Sequence, residues 1–135
     1  MITYPVKVLL AFKEAINRNV KLGNWLLKNG YPELAALSSS IQCDVEAFDW
    51  LMKHGYPQYA AMSNAIDDDK KAYQWLKKHK FGFLVLMVDA SHGEIEAIEW
   101  FDKNQLQIFN MICKSIKELK EQQQRDYNDY HKIHF

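Results

Sequence analysis

The sequence predicts an all-α protein, a short α-solenoid of about four helical-hairpin repeats ending in a C-terminal capping helix. Three observations carry this. The four tryptophans fall at Trp25, Trp50, Trp75 and Trp100, an unbroken spacing of 25. Apolar residues recur at helical spacing within each interval, and no stretch alternates with the period of two that a half-buried strand requires. A hairpin of two such helices cannot bury its apolar face alone, so units must stack and share a continuous core.

Each element follows from its local residues. In the first unit, Leu9 and Phe12 begin two columns that continue as Leu34, Tyr59, Leu84 and Phe109, and as Leu37, Met62, Met87 and Ile112. In "PELAALSSSIQ" Leu34, Leu37 and Ile41 sit on one helical face, and Pro32 suits a first helical turn. In "DVEAFDWLMKHG" Asp44 is placed to cap a helix, Val45, Phe48, Leu51 and Met52 form its stripe, and Gly55 ends it. Tyr31 and Tyr56 each precede a proline, which favours extended backbone between units.

Further columns keep the register. Leu26, Leu51, Leu76 and Phe101 follow the tryptophans, and Leu22, Ala47, Ala72 and Ala97 precede them. Ala35, Ala36, Ala60 and Ala61 let helices approach closely. The ends are irregular, as capping units are: Gly23 lacks an apolar side chain, and after Trp100 the Asn-Gly-Tyr-Pro turn becomes "NQLQ". From about 106 a last helix carries Ile108, Ile112, Ile116 and Leu119, then turns polar in "KEQQQRDYNDYHK". Residues 1–120 are read as the solenoid and 121–135 as a polar helical extension or tail.

Composition narrows the function. Seventeen basic and seventeen acidic residues give a formal net charge of zero, so no global field draws the chain to nucleic acid or to an anionic membrane. Two cysteines, Cys43 and Cys113, do not make a disulfide scaffold, which points to a reducing compartment. The N-terminus has no basic region before "VLLAF" and no cleavage site after it, so no signal peptide is read. The longest apolar run, "FGFLVLMV" at 81–88, is far short of the roughly 20 residues of a spanning helix. A cytoplasmic protein without cofactor is the expectation.

The phrases "HGEIEAIEWFDKN" (92–104) and "CDVEAFDWLMKHG" (43–55) resemble the second helix of an ankyrin repeat. "WLLKNGYP" and "WLMKHGYP" resemble variant ankyrin repeats with Trp-Leu, Gly and a following Pro. The similarity covers about residues 9–105. Departures are clear: ankyrin repeats run to about 33 residues and contain a β-turn, the Thr-Pro-Leu-His phrase is absent, and in "LMVDASHG" Met87 stands in place of the His. The resemblance implies a shortened array whose projecting hairpins are reduced to short turns, and a binding rather than a catalytic role.

Ankyrin-type arrays offer their first helices and inter-unit turns to a protein partner, along an extended concave surface. Carried onto this chain, that surface comprises Tyr31, Glu33, Ser38 and Ser39, then Tyr56, Gln58, Ser63, Asn64 and Asp67, then Phe81, Phe83, Asp89 and His92. Tyr31, Tyr56 and Phe81 are candidate anchors; the alternative is that they plug gaps between units. Phe83 replaces the polar Glu33 and Gln58 of its column.

Other features have competing readings. The tryptophans could stack a ligand or occupy core positions, and the core reading is preferred. Lys28, Lys53, Lys78 and Lys103 form a column that could meet phosphate. Against this, Asp49 and Glu99 stand four residues before Lys53 and Lys103, the order for intrahelical pairs worth ~0.2–0.5 kcal/mol. Lys70, Lys71, Lys77, Lys78 and Lys80 are offset by "DDD" at 67–69, read as acids complementing a helix N-terminus. His54 with His79, and His131 with His134 near Asp126 and Asp129, do not converge as the ligands of a metal would. No catalytic motif is found around Cys113 or elsewhere. The chain is therefore read as a non-enzymatic protein-binding module, a monomer or weak homodimer, with nucleic-acid binding through the lysine column, or self-association through the tail, as alternatives.

Overall fold

The computed structural model describes residues 1–133. They form α1 (Val6–Ile16), α2 (Val20–Lys28), α3 (Pro32–Ile41), α4 (Val45–Lys53), α5 (Pro57–Ile66), α6 (Lys70–Lys78), α7 (Gly82–Ser91), α8 (Ile95–Lys103) and α9 (Gln107–Ile133). No strand occurs among the described residues. Four hairpins, α1–α2 through α7–α8, are followed by one long helix, as the 25-residue register predicts.

Local chemistry sets the starts of α2 to α6. Asp44 accepts from the backbone N–H groups of Glu46 and Ala47, and Asp69, the last residue of "DDD", accepts from those of Lys71 and Ala72. Asn19 plays the same part for α2, while Glu94 at the equivalent place of α8 makes no such bond. Pro32 and Pro57 open α3 and α5, where a missing N–H costs nothing.

All eight turns share one solution. The chain passes through a left-handed residue just after each of the first eight helices: Arg18, Gly30, Cys43, Gly55, Asp68, Lys80, Gly93 and Gln105. This places the N–H of the following residue on a carbonyl of the last helical turn, as Tyr56 on Leu51 and Asp44 on Ser39. Only three of the eight are glycine; each of the others carries a Cβ that crowds its own carbonyl.

The odd-numbered helices are the inner layer. α1, α3, α5 and α7 each bury six or seven residues, whereas α2, α4, α6 and α8 each bury one or two. Successive inner helices pack against one another, and α9 packs against both α7 and α1. The inner layer is thus a closed ring in the order α1, α3, α5, α7, α9. The open concave surface expected of an ankyrin-type array is absent among the described residues, because its inner faces are covered by each other and by α9.

The core is built from the expected columns. Phe12, Leu37, Met62, Met87 and Ile112 are fully buried, as are Leu26, Leu51, Leu76 and Phe101. Truncating one of these leucines to alanine removes contact on every side, a change that costs about 2–5 kcal/mol. The tryptophan column is less deep than the core reading supposed. Trp25, Trp50 and Trp75 are half-buried against the core, and Trp100 is 39% exposed. The residue after each tryptophan is the one that the hairpin encloses.

Because Lys80 (φ 64°) and Gln105 (φ 54°) hold left-handed backbone, Lys80→Gly and Gln105→Gly are each expected to raise stability by about 1 kcal/mol, and Gly55→Ala to lower it by a similar amount. Thermal or urea unfolding of the three variants measures this; a fall in midpoint for both glycine gains would refute it.

Candidate interaction surface

The residues predicted to bind a partner do not lie on one face. An inner helix such as α5 has ten residues and a length of about 15 Å. Tyr31, Tyr56 and Phe81 stand before the N-termini of α3, α5 and α7, while Asp67 and His92 follow the C-termini of α5 and α7. The prediction therefore straddles the two rims of the ring.

At the N-terminal rim the aromatic residues fill gaps between units. Tyr56 lies between Trp50 (ring centroids 6.1 Å) and Tyr59 (5.9 Å), and its hydroxyl donates to Glu33 Oε2 at 3.2 Å. Tyr31 meets Tyr4 edge-on at 5.9 Å, and Phe81 stacks on Trp75 at 5.8 Å. Glu33 is buried, with Oε2 held by Tyr56 and Oε1 without a hydrogen-bond partner. Burial pushes the Tyr4 phenol well above its ordinary range, and the hydroxyl bond to Tyr59 adds to the shift. His54 and His79 stack on Trp50 and Trp75 of the helices they follow at 4.1 and 4.2 Å.

Other predicted positions hold helices together. The Ser63 and Ser40 hydroxyls lie 2.8 Å apart in the buried contact between α3 and α5. Asp89 accepts from the Tyr73 hydroxyl at 2.9 Å, which ties α6 to α7. Phe83 meets Trp100, Phe101 and Phe109 with ring planes near perpendicular and closes the junction of α7, α8 and α9. Gln58, Ser39 and Asn64 are half-buried on the inner helices, and Ser38 is buried with its hydroxyl on Ala35 O.

The C-terminal rim is different. Here α9 runs on past the ends of its neighbours, and Lys120 reaches back to donate to Ile41 O while pairing with Asp67 at 2.9 Å. His92 Nε2 donates to Ile66 O at 2.9 Å and lies 3.5 Å from Asp68 Oδ1. Terminal carbonyls of α3 and α5 thereby find donors outside their own helices. Between this rim and α9 lies a groove of about 530 Å³, lined by Asp67, Asp68, His92, Lys117, Gln124 and Tyr127 among others. Its walls carry both charge signs, with Lys117 paired to Glu121 at 2.8 Å.

Of the predicted residues, Asp67 and His92 meet in this groove. Lys117, Lys120, Gln124 and Tyr127 were not foreseen as its wall, since the repeat register stops informing beyond the ring. The signal available was the stripe Ile112, Ile116 and Leu119, whose period carries forward to Gln123 and Tyr127.

The lysine column is exposed throughout, in the last turns of the outer helices. The pairs expected for Lys53 with Asp49 and Lys103 with Glu99 do not form among the described residues. No cluster of three or more potential metal ligands occurs among the described residues, and His134 lies outside them. None of the described helices is long and apolar enough to cross a membrane. Compared with protein-family models, curated proteins and solved structures, the chain matches none.

The two thiols differ sharply. Cys43 is exposed, 3.6 Å from Lys120 Nζ, whereas Cys113 is buried, donates to Met87 O at 3.4 Å, and is raised by that burial to about 12. Iodoacetamide at pH 8 is expected to alkylate Cys43 at once and Cys113 only on unfolding; intact-mass spectrometry showing two rapid additions to the folded chain would contradict this.

Burial and the bond to Asp89 likewise raise Tyr73 to about 12. The fold favours the neutral form of both acids, so the folded chain holds their protons more tightly than the unfolded one. Stability is expected to be level below pH 9 and to fall as pH rises toward 12. Melting temperatures across that window, compared with a Cys113→Val variant of shallower decline, measure the effect.

Proposed function

We infer that this chain is a non-enzymatic protein-binding module whose working surface is the C-terminal rim, where α9 overhangs the ends of α5 and α7. The observation that carries the reading is the groove of about 530 Å³ between that rim and α9. It is preformed, since Lys120 and His92 tie its walls to backbone carbonyls. Its mixed-charge lining offers donors and acceptors in fixed places, which suits a polar peptide segment, and a rigid site loses little entropy on binding. The resemblance of the hairpins to ankyrin repeats favours the same class of function. The aromatic anchors of the N-terminal rim are already engaged with one another and contribute rigidity rather than contact.

The exchange Lys117→Glu with Glu121→Lys keeps the intrahelical pair of that turn and reverses the charge pattern of the wall. Affinity capture of the tagged full chain from its native host is expected to recover a protein that binds the exchanged variant at least tenfold more weakly, at unchanged helical circular dichroism. Equal capture by both chains would refute this surface.

One observation favours a second reading. Lys28, Lys53, Lys78 and Lys103 are exposed and form no ion pair among the described residues, so they are available to phosphate. Nucleic-acid binding by this column requires an affinity that falls steeply with salt and with each lysine removed.

A further inference from the structure

Two neighbouring outer helices carry opposite charge. On α6 stand Lys70, Lys71, Lys77 and Lys78 with no acid among them, and on α8 stand Glu96, Glu99 and Asp102 against Lys103. The places of Lys70 and Lys77 are apolar in the first two units, Val20 with Leu27 and Val45 with Met52. The acids beside α6 in sequence are engaged elsewhere. Asp67 pairs with Lys120, Asp68 lies against His92, and Asp69 accepts from the backbone N–H groups of Lys71 and Ala72. Glu94 makes no cap bond at the position where Asn19, Asp44 and Asp69 each make one. The lysines of α6 and the acids Glu94, Glu96, Glu99 and Asp102 are all exposed, and none forms an ion pair among the described residues.

The two helices flank one furrow. Both pack on α7. The space between them, about 510 Å³, is lined by Tyr73 on the α6 side and by Glu94, Glu96 and Trp100 on the α8 side, with Asp89 of α7 between. Lys70 borders the adjoining pocket beside Tyr73, and Lys77 Nζ lies 5.2 Å from the centre of the Tyr73 ring, a contact that leaves its N–H groups open to an acid. Charges of opposite sign therefore border the same furrow without bridging it. A polyanion laid on α6 would be repelled by the acids of α8, whereas a second copy of the chain suits both helices.

The repeat fixes how that copy fits. Equivalent helices of successive units run the same way, so residues 25 apart lie at one height. A two-fold axis along the furrow lays α6 of one copy over α8 of the other and leaves that height unchanged. Lys70 then meets Glu96, one place on from its counterpart Ile95, and Lys77 meets Asp102, with Glu99 one turn away. The same rotation makes each contact twice. We propose that the chain forms a symmetric dimer through α6 and α8, held by these pairs across the furrow. Helices of nine residues are about 14 Å long. Two of them offer less than the roughly 800 Å² per partner of a standard complex, so the dimer is weak and mainly ionic.

Sedimentation equilibrium of the full chain tests this. At about 0.05 M salt the weight-average mass is expected to rise with concentration from 15.9 kDa toward twice that value, and about 0.5 M salt should weaken association at least tenfold. Lys70→Glu with Lys77→Glu, and Glu96→Lys with Glu99→Lys, each set like charges together at both contacts and are expected to stay monomeric. Mixed in equal amounts, the two variants meet with opposite charges at both contacts and should dimerise again. Lys70→Gln with Lys77→Gln removes charge without reversing it, should weaken association about tenfold, and serves if a reversed variant fails to fold by circular dichroism. A mass of 15.9 kDa at every concentration in low salt, a dimer that either reversed variant keeps, or a mixture of folded variants that stays monomeric overturns the proposal. In the first case an oligonucleotide that binds the original chain and not the lysine variant gives α6 to nucleic acid instead. Lys117 and Glu121 are untouched by these changes, so this surface and the C-terminal rim fail or stand independently.

Discussion

The fold depends on one contact, the packing of α9 against both α7 and α1. Each hairpin has an inner helix with six or seven buried residues and an outer helix with one or two, so every inner helix needs a neighbour on both sides. In an open array the terminal units must carry polar outer faces instead. Here the last helix supplies the missing neighbour to the first. Ile112, Cys113 and Ile116 are buried on α9 as Phe12, Ala15 and Ile16 are on α1, and α9 completes a fifth inner position without an outer partner.

That arrangement decides where chemistry is available. The inner face, which serves as the binding surface in open solenoids, is consumed by the core. What remains are two rims and the outer layer. The N-terminal rim is sealed by a chain of aromatic contacts from Tyr4 through Tyr59 and Tyr56 to Trp50, with Glu33 buried beneath it. At the C-terminal rim the extension of α9 holds polar side chains away from the core.

Much of the fold was legible because the repeat is strict. The tryptophan interval, the capping Asp44 and the glycine after Lys53 set helix type and helix ends, and the structure places them as expected. The closure was not legible, because the curvature of a stack is set by small rotations between units that no single column records. The same gap explains the site. Tyr56 and Asp67 look adjacent in a sequence of short turns, yet they lie at opposite ends of α5. The tryptophans misled for another reason: a bulky ring at a strong register position looks like core, whereas the leucine beside it, pointing a further 100° or so around the helix, is the enclosed residue. The ion pairs expected of Lys53 and Lys103 rest on spacing alone, and spacing permits a pair without compelling one.

Closure also changes how such a chain must fold. Open repeat proteins nucleate anywhere and lengthen by adding units, since each contact is local. The seam between α1 and α9 joins segments near opposite ends of the sequence, and loop closure over that span precedes the gain from burial. Unfolding therefore is one event for the whole ring rather than fraying from an end. During synthesis, α1 waits for its second neighbour until α9 has left the ribosome. The same seam fixes the number of units, because a duplicated hairpin would add a sixth inner helix to a ring whose core is packed for five.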